Sequence, residues 1–178
     1  MKIMSAHQVN NLTVREVERA SIHDFIKSCR EHLAGRVLDY GCGTGPYRRI
    51  IEEHGGRWIG YDDPKHPGSV VDRYVGDWPE TEPIDAILCT QVIQYVPDPR
   101  WLLSHFGKFG ATLVMTYPTH WPELRDDLWR FTMLGMERLL TEAGFKIILH
   151  RSRAECILGF AVDSERVSLG YGVVATRA

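Results

Sequence analysis

Residues 37–45 read VLDYGCGTG, an apolar run carrying Asp39 that meets glycines at 41, 43 and 45. Glycine at every second position lets the backbone turn sharply and approach a ligand closely without steric cost. A strand–loop–helix transition also aims backbone N–H groups and a helix N-terminus at one point, a site for a ligand. Carboxylates recur further on: WIGYDD ends in Asp62 and Asp63, and YVGDW sets Asp77 beside Trp78. The stretch TYPTHWPELRDDLWRF gathers Tyr117, His120, Trp121, Trp129, Arg130 and three carboxylates within a short span.

Two phosphate readings of the glycines fail. A dinucleotide fingerprint needs a glycine where this chain has Pro46, and a P-loop needs a lysine, yet none lies between Lys27 and Lys65. A tight turn without a ligand remains as the plain structural reading.

The elements that would hold these residues alternate along the chain. Thr13 opens a helix with a T-V-R-E capping box, and Val14, Val17, Phe25 and Cys29 recur on one face until Gly35 stops it. RVLDY (36–40) is a first strand. Pro46 starts a helix carrying Tyr47, Ile50, Ile51 and His54, and RWIGYD (57–62) is a second strand. This strand–loop–helix–strand unit favours a parallel sheet with right-handed crossovers. A stretch rich in Pro and Gly leads to a short third strand near 71–75, and PIDAILCT (83–90) forms a fourth. Asp98 caps a helix begun by Pro99; ATLVMTYP (111–118) is a fifth strand. Thr132 caps the next helix, Gly144 ends it, and 145–151 with 171–177 make a final pair, a hairpin through a loop.

VLDYGCGTG resembles the first motif of class I S-adenosylmethionine-dependent methyltransferases, an acidic residue ahead of a G-x-G-x-G loop. The resemblance covers about residues 35–150. It implies that Asp39, Tyr40, Gly41, Cys42, Gly43 and Gly45 surround the methionine half of S-adenosyl-L-methionine, which carries no phosphate. It likewise implies that Asp62, with Asp63 beside it, receives the ribose hydroxyls, and that Asp77 and Trp78 meet the adenine. CTQVIQYVPDP is similar to the family's segment after strand four, so Thr90, Gln91 and Tyr95 would border the cofactor. Gln94 and Tyr95 replace the Glu and His frequent there, which removes a histidine from that segment. DDLWRFTMLGMERLLTEAGF resembles a segment of small methyltransferases around glycan and small-molecule biosynthesis. The implied fold is α/β, Rossmann-like and doubly wound. Its sheet is mostly parallel and seven-stranded with a final antiparallel strand, in one domain over 1–178 whose residues 1–35 form a helical cap.

Methyl transfer from a sulfonium needs acceptor and methyl held in line and water excluded. A hydroxyl acceptor also needs a base, for which His120 is the candidate. Tyr117, Trp121 and Arg130 are candidate acceptor contacts, and Arg130 would otherwise pair with Asp126 or Asp127. The chain contains no N-P-P-[YFW] run, the signal common in amino-methylating enzymes, which favours oxygen as the acceptor atom. A cofactor-binding but non-catalytic partner protein is the alternative, and a nicotinamide oxidoreductase is disfavoured by Pro46.

Composition agrees with an enzyme of small molecules. The 178 residues are 44% hydrophobic with a formal charge of −2, which offers nucleic acid or an anionic membrane no electrostatic attraction. Eight histidines stand at no metal-ligand spacing, and Cys29, Cys42, Cys89 and Cys156 form no CxxC, so no metal is expected and the thiols read as reduced. No apolar signal core or membrane-length apolar run occurs, so the expectation is a cytoplasmic protein. Its oligomeric state is not encoded in any pattern here.

Overall fold

A computed structural model describes residues 14–63, 73–74, 83–119, 127–157 and 166–178. The strands are β1 (Arg36–Tyr40), β2 (Arg57–Asp62), β3 (Arg73–Tyr74), β4 (Ala86–Thr90), β5 (Thr112–Pro118), β6 (Phe145–Ile157) and β7 (Arg166–Arg177). The helices are α1 (Val14–Ser28), α2 (Arg48–Glu52), α3 (Pro99–Lys108) and α4 (Met133–Glu142). The sheet order is β3-β2-β1-β4-β5-β7-β6. Pairing is parallel from β3 through β5, and β7 runs antiparallel to both β5 and β6. Six of the strands have five residues or more, whereas β3 is a two-residue pairing beside β2. The chain winds outward from β1 in one direction and, after β4, in the other. The carboxyl ends of β1 and β4 therefore border the crevice where open α/β sheets take their ligands.

Alternation along the strands sorts the core into two layers. On one face Val37, Trp58, Leu88 and Val114 pack under α1 and α2; on the other Leu38, Ile87, Leu113 and Met115 pack under α3 and α4. Helix α1 buries Ile22, Phe25 and Ile26, with Cys29 just after it also buried. It lies close because Gly172 of β7 has no side chain, since a Cβ there would stand 2.5 Å from the Phe25 ring. Arg151 of β6 donates to Ser28 Oγ and lies over Phe25, which fastens the helix to the sheet.

Two expected caps form as read. Asp98 Oδ1 accepts from Trp101 N at 3.0 Å, and Thr132 Oγ1 accepts from Gly135 N at 3.1 Å. Elsewhere the boundaries move. Helix α2 begins at Arg48 rather than Pro46, with Tyr47 as its N-cap, because the glycine loop extends to that residue. The last two strands form the expected antiparallel pair and are longer than read. Polar residues such as Ser152 and Arg153 interrupt the apolar pattern, and the pairing continues past a register shift at Arg153. Thr13 lies outside the described residues. Among the described residues, no helix is long and apolar enough to cross a membrane.

Candidate functional site

The glycine loop is shaped by its neighbours. Gly41, Gly43 and Gly45 have φ of 73°, 52° and 67°, in the left-handed region that favours glycine. Gly41 has a second reason: a Cβ there would stand 2.2 Å from Val92 Cγ2. The N–H groups of Gly41 and Cys42 both donate to the Tyr61 carbonyl, and that of Gly45 donates to the Cys42 carbonyl. Gly43 N donates to Asp62 Oδ2 at 2.7 Å. The expectation that this loop aims its N–H groups at a ligand is therefore corrected. Those four donors are used inside the protein, so the loop offers close backbone approach rather than an anion cradle. The absence of a phosphate signature has its physical counterpart here.

Asp39 is the electrostatic centre of this end of the sheet. It is 0% exposed, on the face under α1 and α2, and its Oδ2 accepts from Trp58 Nε1 at 2.9 Å. Its Oδ1 accepts no hydrogen bond among the described residues. Burial pushes the Asp39 carboxyl up to about 7; the Trp58 bond opposes this and the nearby Asp62 charge adds to it. Asp62, at the end of β2, also receives Asp63 N at Oδ1 and so holds the corner between β1 and β2. Tyr40 is half-buried and turns to the other face, stacked on Tyr61 at 5.1 Å and edge-on to Phe106. Cys42 is buried beside the loop.

After β4 the chain is strained. Gln91 has φ of 55°, uncommon for a residue with a side chain, and is held there by its N–H on the Thr116 carbonyl and its Nε2 on Thr116 Oγ1. A short turn, Ile93–Tyr95, follows Thr90 and Gln91. Its Gln94 carbonyl accepts from both Leu128 N and Trp129 N, so the segment after β5 is sewn onto the end of β4. Trp129 Nε1 adds a bond to the Val96 carbonyl. Arg130 Nη2 meets Asp127 Oδ2 at 2.5 Å, while Tyr95 also faces Asp127. Of the two partners the sequence allowed for Arg130, Asp127 is met here, and Asp126 lies outside the described residues.

Tyr117 takes a different place from the acceptor contact expected of it. Its side chain is fully buried against Phe131 and Tyr171, and its hydroxyl meets His150 Nε2 at 2.7 Å. Asp77, Trp78, His120 and Trp121 lie outside the described residues. Sequence reasoning missed Glu18 and Arg153. Arg153 of β6 reaches the carbonyls of Tyr117 and Tyr171, Ser21 Oγ, and Glu18 at 3.5 Å. Nothing in the local spacing of either residue announces a pairing between the first helix and the sixth strand. Among the described residues, no group of three His, Cys, Asp or Glu side chains is arranged to hold a metal ion.

A family model described as a methyltransferase domain matches residues 6–150. The chain belongs to that family. It is an S-adenosylmethionine-dependent methyltransferase with S-adenosyl-L-methionine as cofactor. No curated protein matches it in sequence. Solved structures match its fold. An S-adenosylmethionine-dependent methyltransferase from Archaeoglobus fulgidus superimposes with a TM-score of 0.71 at 15% identity, covering 97% of this chain and 100% of that one. The magnesium protoporphyrin IX methyltransferase of Synechocystis, solved with its S-adenosylmethionine bound, gives 0.63 at 16%, covering 96% and 88%. The 1,6-didemethyltoxoflavin N1-methyltransferase of Burkholderia thailandensis gives 0.63 at 19%, covering 92% and 81%. The residues of this methyltransferase suit such a cofactor. Among the described residues, a buried carboxylate oxygen without a donor stands at the strand that leads into a loop with four of its N–H groups already used inside the protein.

Proposed function

We propose that the enzyme methylates a hydroxyl oxygen of a small-molecule or glycan-related acceptor, bound over the carboxyl ends of β4 and β5. The observation that carries the cofactor side of this reading is the Asp39 Oδ1 atom, fully buried and without a donor among the described residues. An ammonium group supplies that donor, directly or through a water. In this reading the backbone of Gly41, Cys42, Gly43 and Gly45 borders the methionine half and Asp62 receives the ribose hydroxyls. Each Asp62 oxygen has lone-pair capacity beyond the backbone bond it accepts. Thr90, Gln91 and Tyr95 border the methyl-bearing end.

When bound, the cofactor supplies an electrophilic methyl group on a sulfonium. The protein's own work is to orient the acceptor and keep water out. The Gln91 backbone conformation and the bonds from Gln94 to Leu128 and Trp129 support a rigid wall between the two halves of the crevice. His120 is the proposed base for a hydroxyl, and Asp77 with Trp78 the proposed adenine contacts. Arg130 is committed to Asp127, which argues against a role in holding an anion.

Titration calorimetry with S-adenosylhomocysteine tests the cofactor site. Binding on the order of micromolar and a raised melting temperature are expected, with no comparable response to NADH. Labelled methyl from S-adenosylmethionine then reports the acceptor in metabolite extracts. Nicotinamide binding without S-adenosylhomocysteine binding would overturn the assignment.

A further inference from the structure

The unmatched groups at this end of the sheet are acceptors. Among the described residues, Asp39 Oδ1, Gln94 Oε1 and Glu18 Oε1 are buried oxygens that accept no hydrogen bond, Glu18 Oε1 standing 3.5 Å from Arg153 Nη2, and no buried side-chain nitrogen is left without a partner. Arg130 and Arg153, the two arginines whose charges reach Glu18 among the described residues, are both engaged. Arg130 holds Asp127, and Arg153 spends its donors on two carbonyls, a serine hydroxyl and the Glu18 ion pair. An anion entering beside Glu18 would meet carboxylates and two arginines already engaged with them.

Glu18 is the member that the cofactor reading does not use. It projects from α1, is 9% exposed, and stands within electrostatic reach of Asp127 and Arg130. Its partner Arg153 bonds to the carbonyl of Tyr117, the penultimate residue of β5, which sets Glu18 by the carboxyl end of that strand. Tyr47, at the end of the glycine loop, feels the charges of both Asp39 and Glu18. Burial raises the Glu18 pKa, with Arg153 opposing it. A carboxylate buried with one incomplete partner is costly to the fold, and a hydrogen-bond donor from a ligand offsets that cost.

We propose that Glu18 is a specificity residue of the acceptor site, taking an N–H or O–H donor of a neutral or cationic acceptor and disfavouring phosphates and carboxylates. This rests on the methyltransferase reading above and adds the acceptor's charge class. It also gives α1 a place in the site besides its place in the core.

The test uses the full chain with S-adenosyl-L-methionine labelled in its methyl group and a metabolite extract separated into cationic, neutral and anionic fractions. The expected result is labelled product in the cationic or neutral fraction. Glu18→Gln should lower it by about ten- to a hundredfold, the scale of a lost charged hydrogen bond, with S-adenosylhomocysteine affinity unchanged. Glu18→Asp, which keeps the charge, should fall between. Calorimetry on each variant reports whether it folds. Product in the anionic fraction overturns the proposal, as does full transfer by Glu18→Gln. A parallel loss of transfer and S-adenosylhomocysteine binding in both variants also overturns it, since that marks Glu18 as a fastening of α1 alone. If no fraction takes label while S-adenosylhomocysteine still binds, the proposal falls and the cofactor site stands.

Discussion

Gly43 N donates to Asp62 Oδ2 at 2.7 Å, so the carboxylate at the end of β2 holds the middle of the loop that follows β1. Asp62 fixes the loop, and in the proposed reading it also receives the ribose. Asp62→Ala should weaken S-adenosylhomocysteine binding by about 1.5–3 kcal/mol, because charged hydrogen bonds are lost. Asp62→Asn, which keeps one acceptor oxygen, should lose less. Calorimetry on both variants separates the tasks, and wild-type affinity in Asp62→Ala would show that neither matters to the cofactor.

Gly41 is the loop position with least room. Its positive φ and the nearness of Val92 mean that Gly41→Val strains the backbone and collides with the turn after β4. The strain alone costs about 1–2 kcal/mol. A lower melting temperature together with weaker S-adenosylhomocysteine binding is expected. Pairing it with Val92→Ala should restore part of the stability, but not the part due to φ.

Asp39 links binding to pH. Burial raises its carboxyl to about 7, above the ordinary aspartate value. Its neutral form stabilises the ligand-free fold fully below the unfolded value of about 4, and that contribution is lost as pH rises to about 7. An ammonium beside Oδ1 favours the ionised form. S-adenosylhomocysteine should therefore release a proton when it binds below pH 7, with affinity rising through that pH and levelling above it. Adenosine, which has no ammonium, should show neither effect. Calorimetry in buffers of different ionisation enthalpy counts the proton directly.

Tyr117, His150 and Glu137 form a hydrogen-bonded unit. Glu137 Oε1 lies 3.0 Å from His150 Nδ1. A carboxylate accepts, so Nδ1 carries the proton and the neutral ring's Nε2 accepts from the Tyr117 hydroxyl. Burial pushes the His150 pKa down, and Glu137 partly opposes it. The unfolded chain thus protonates first, and the stability contributed by neutral His150 is lost as pH falls below about 6.5. Tyr117→Phe should cost about 1–3 kcal/mol by leaving Nε2 without a donor. Urea denaturation from pH 5 to 8 should show a shallower acid-side loss in His150→Phe than in the wild type.

His120 carries the base assignment. With a hydroxyl acceptor, His120→Ala should lower turnover by roughly 10²–10⁴-fold while S-adenosylhomocysteine affinity holds. Full activity across the pH range would remove it from the chemistry.

Much of the site was legible in the chain because its signals are local. Three alternating glycines after a strand, carboxylates at strand ends, and caps at Asp98 and Thr132 each state a backbone requirement within a few residues. The same is true of β1, β2 and β5, whose apolar runs are bounded by Gly or Pro. What the loop does with its N–H groups was not legible, because Tyr61 and Asp62, which take three of them, reach the loop only when β1 and β2 pair. Arg153 lies 132 residues from Ser21 and meets it and Glu18 only because α1 packs across β6 and β7. The roles of Glu18, of Tyr117 turned to His150, and of Asp39 left with one oxygen unmatched were therefore decided by tertiary structure. Local spacing specifies where a chain turns and which face it buries. Burial and long-range pairing set the charge state and the remaining hydrogen-bonding capacity of each carboxylate, and these exist only in the packed fold.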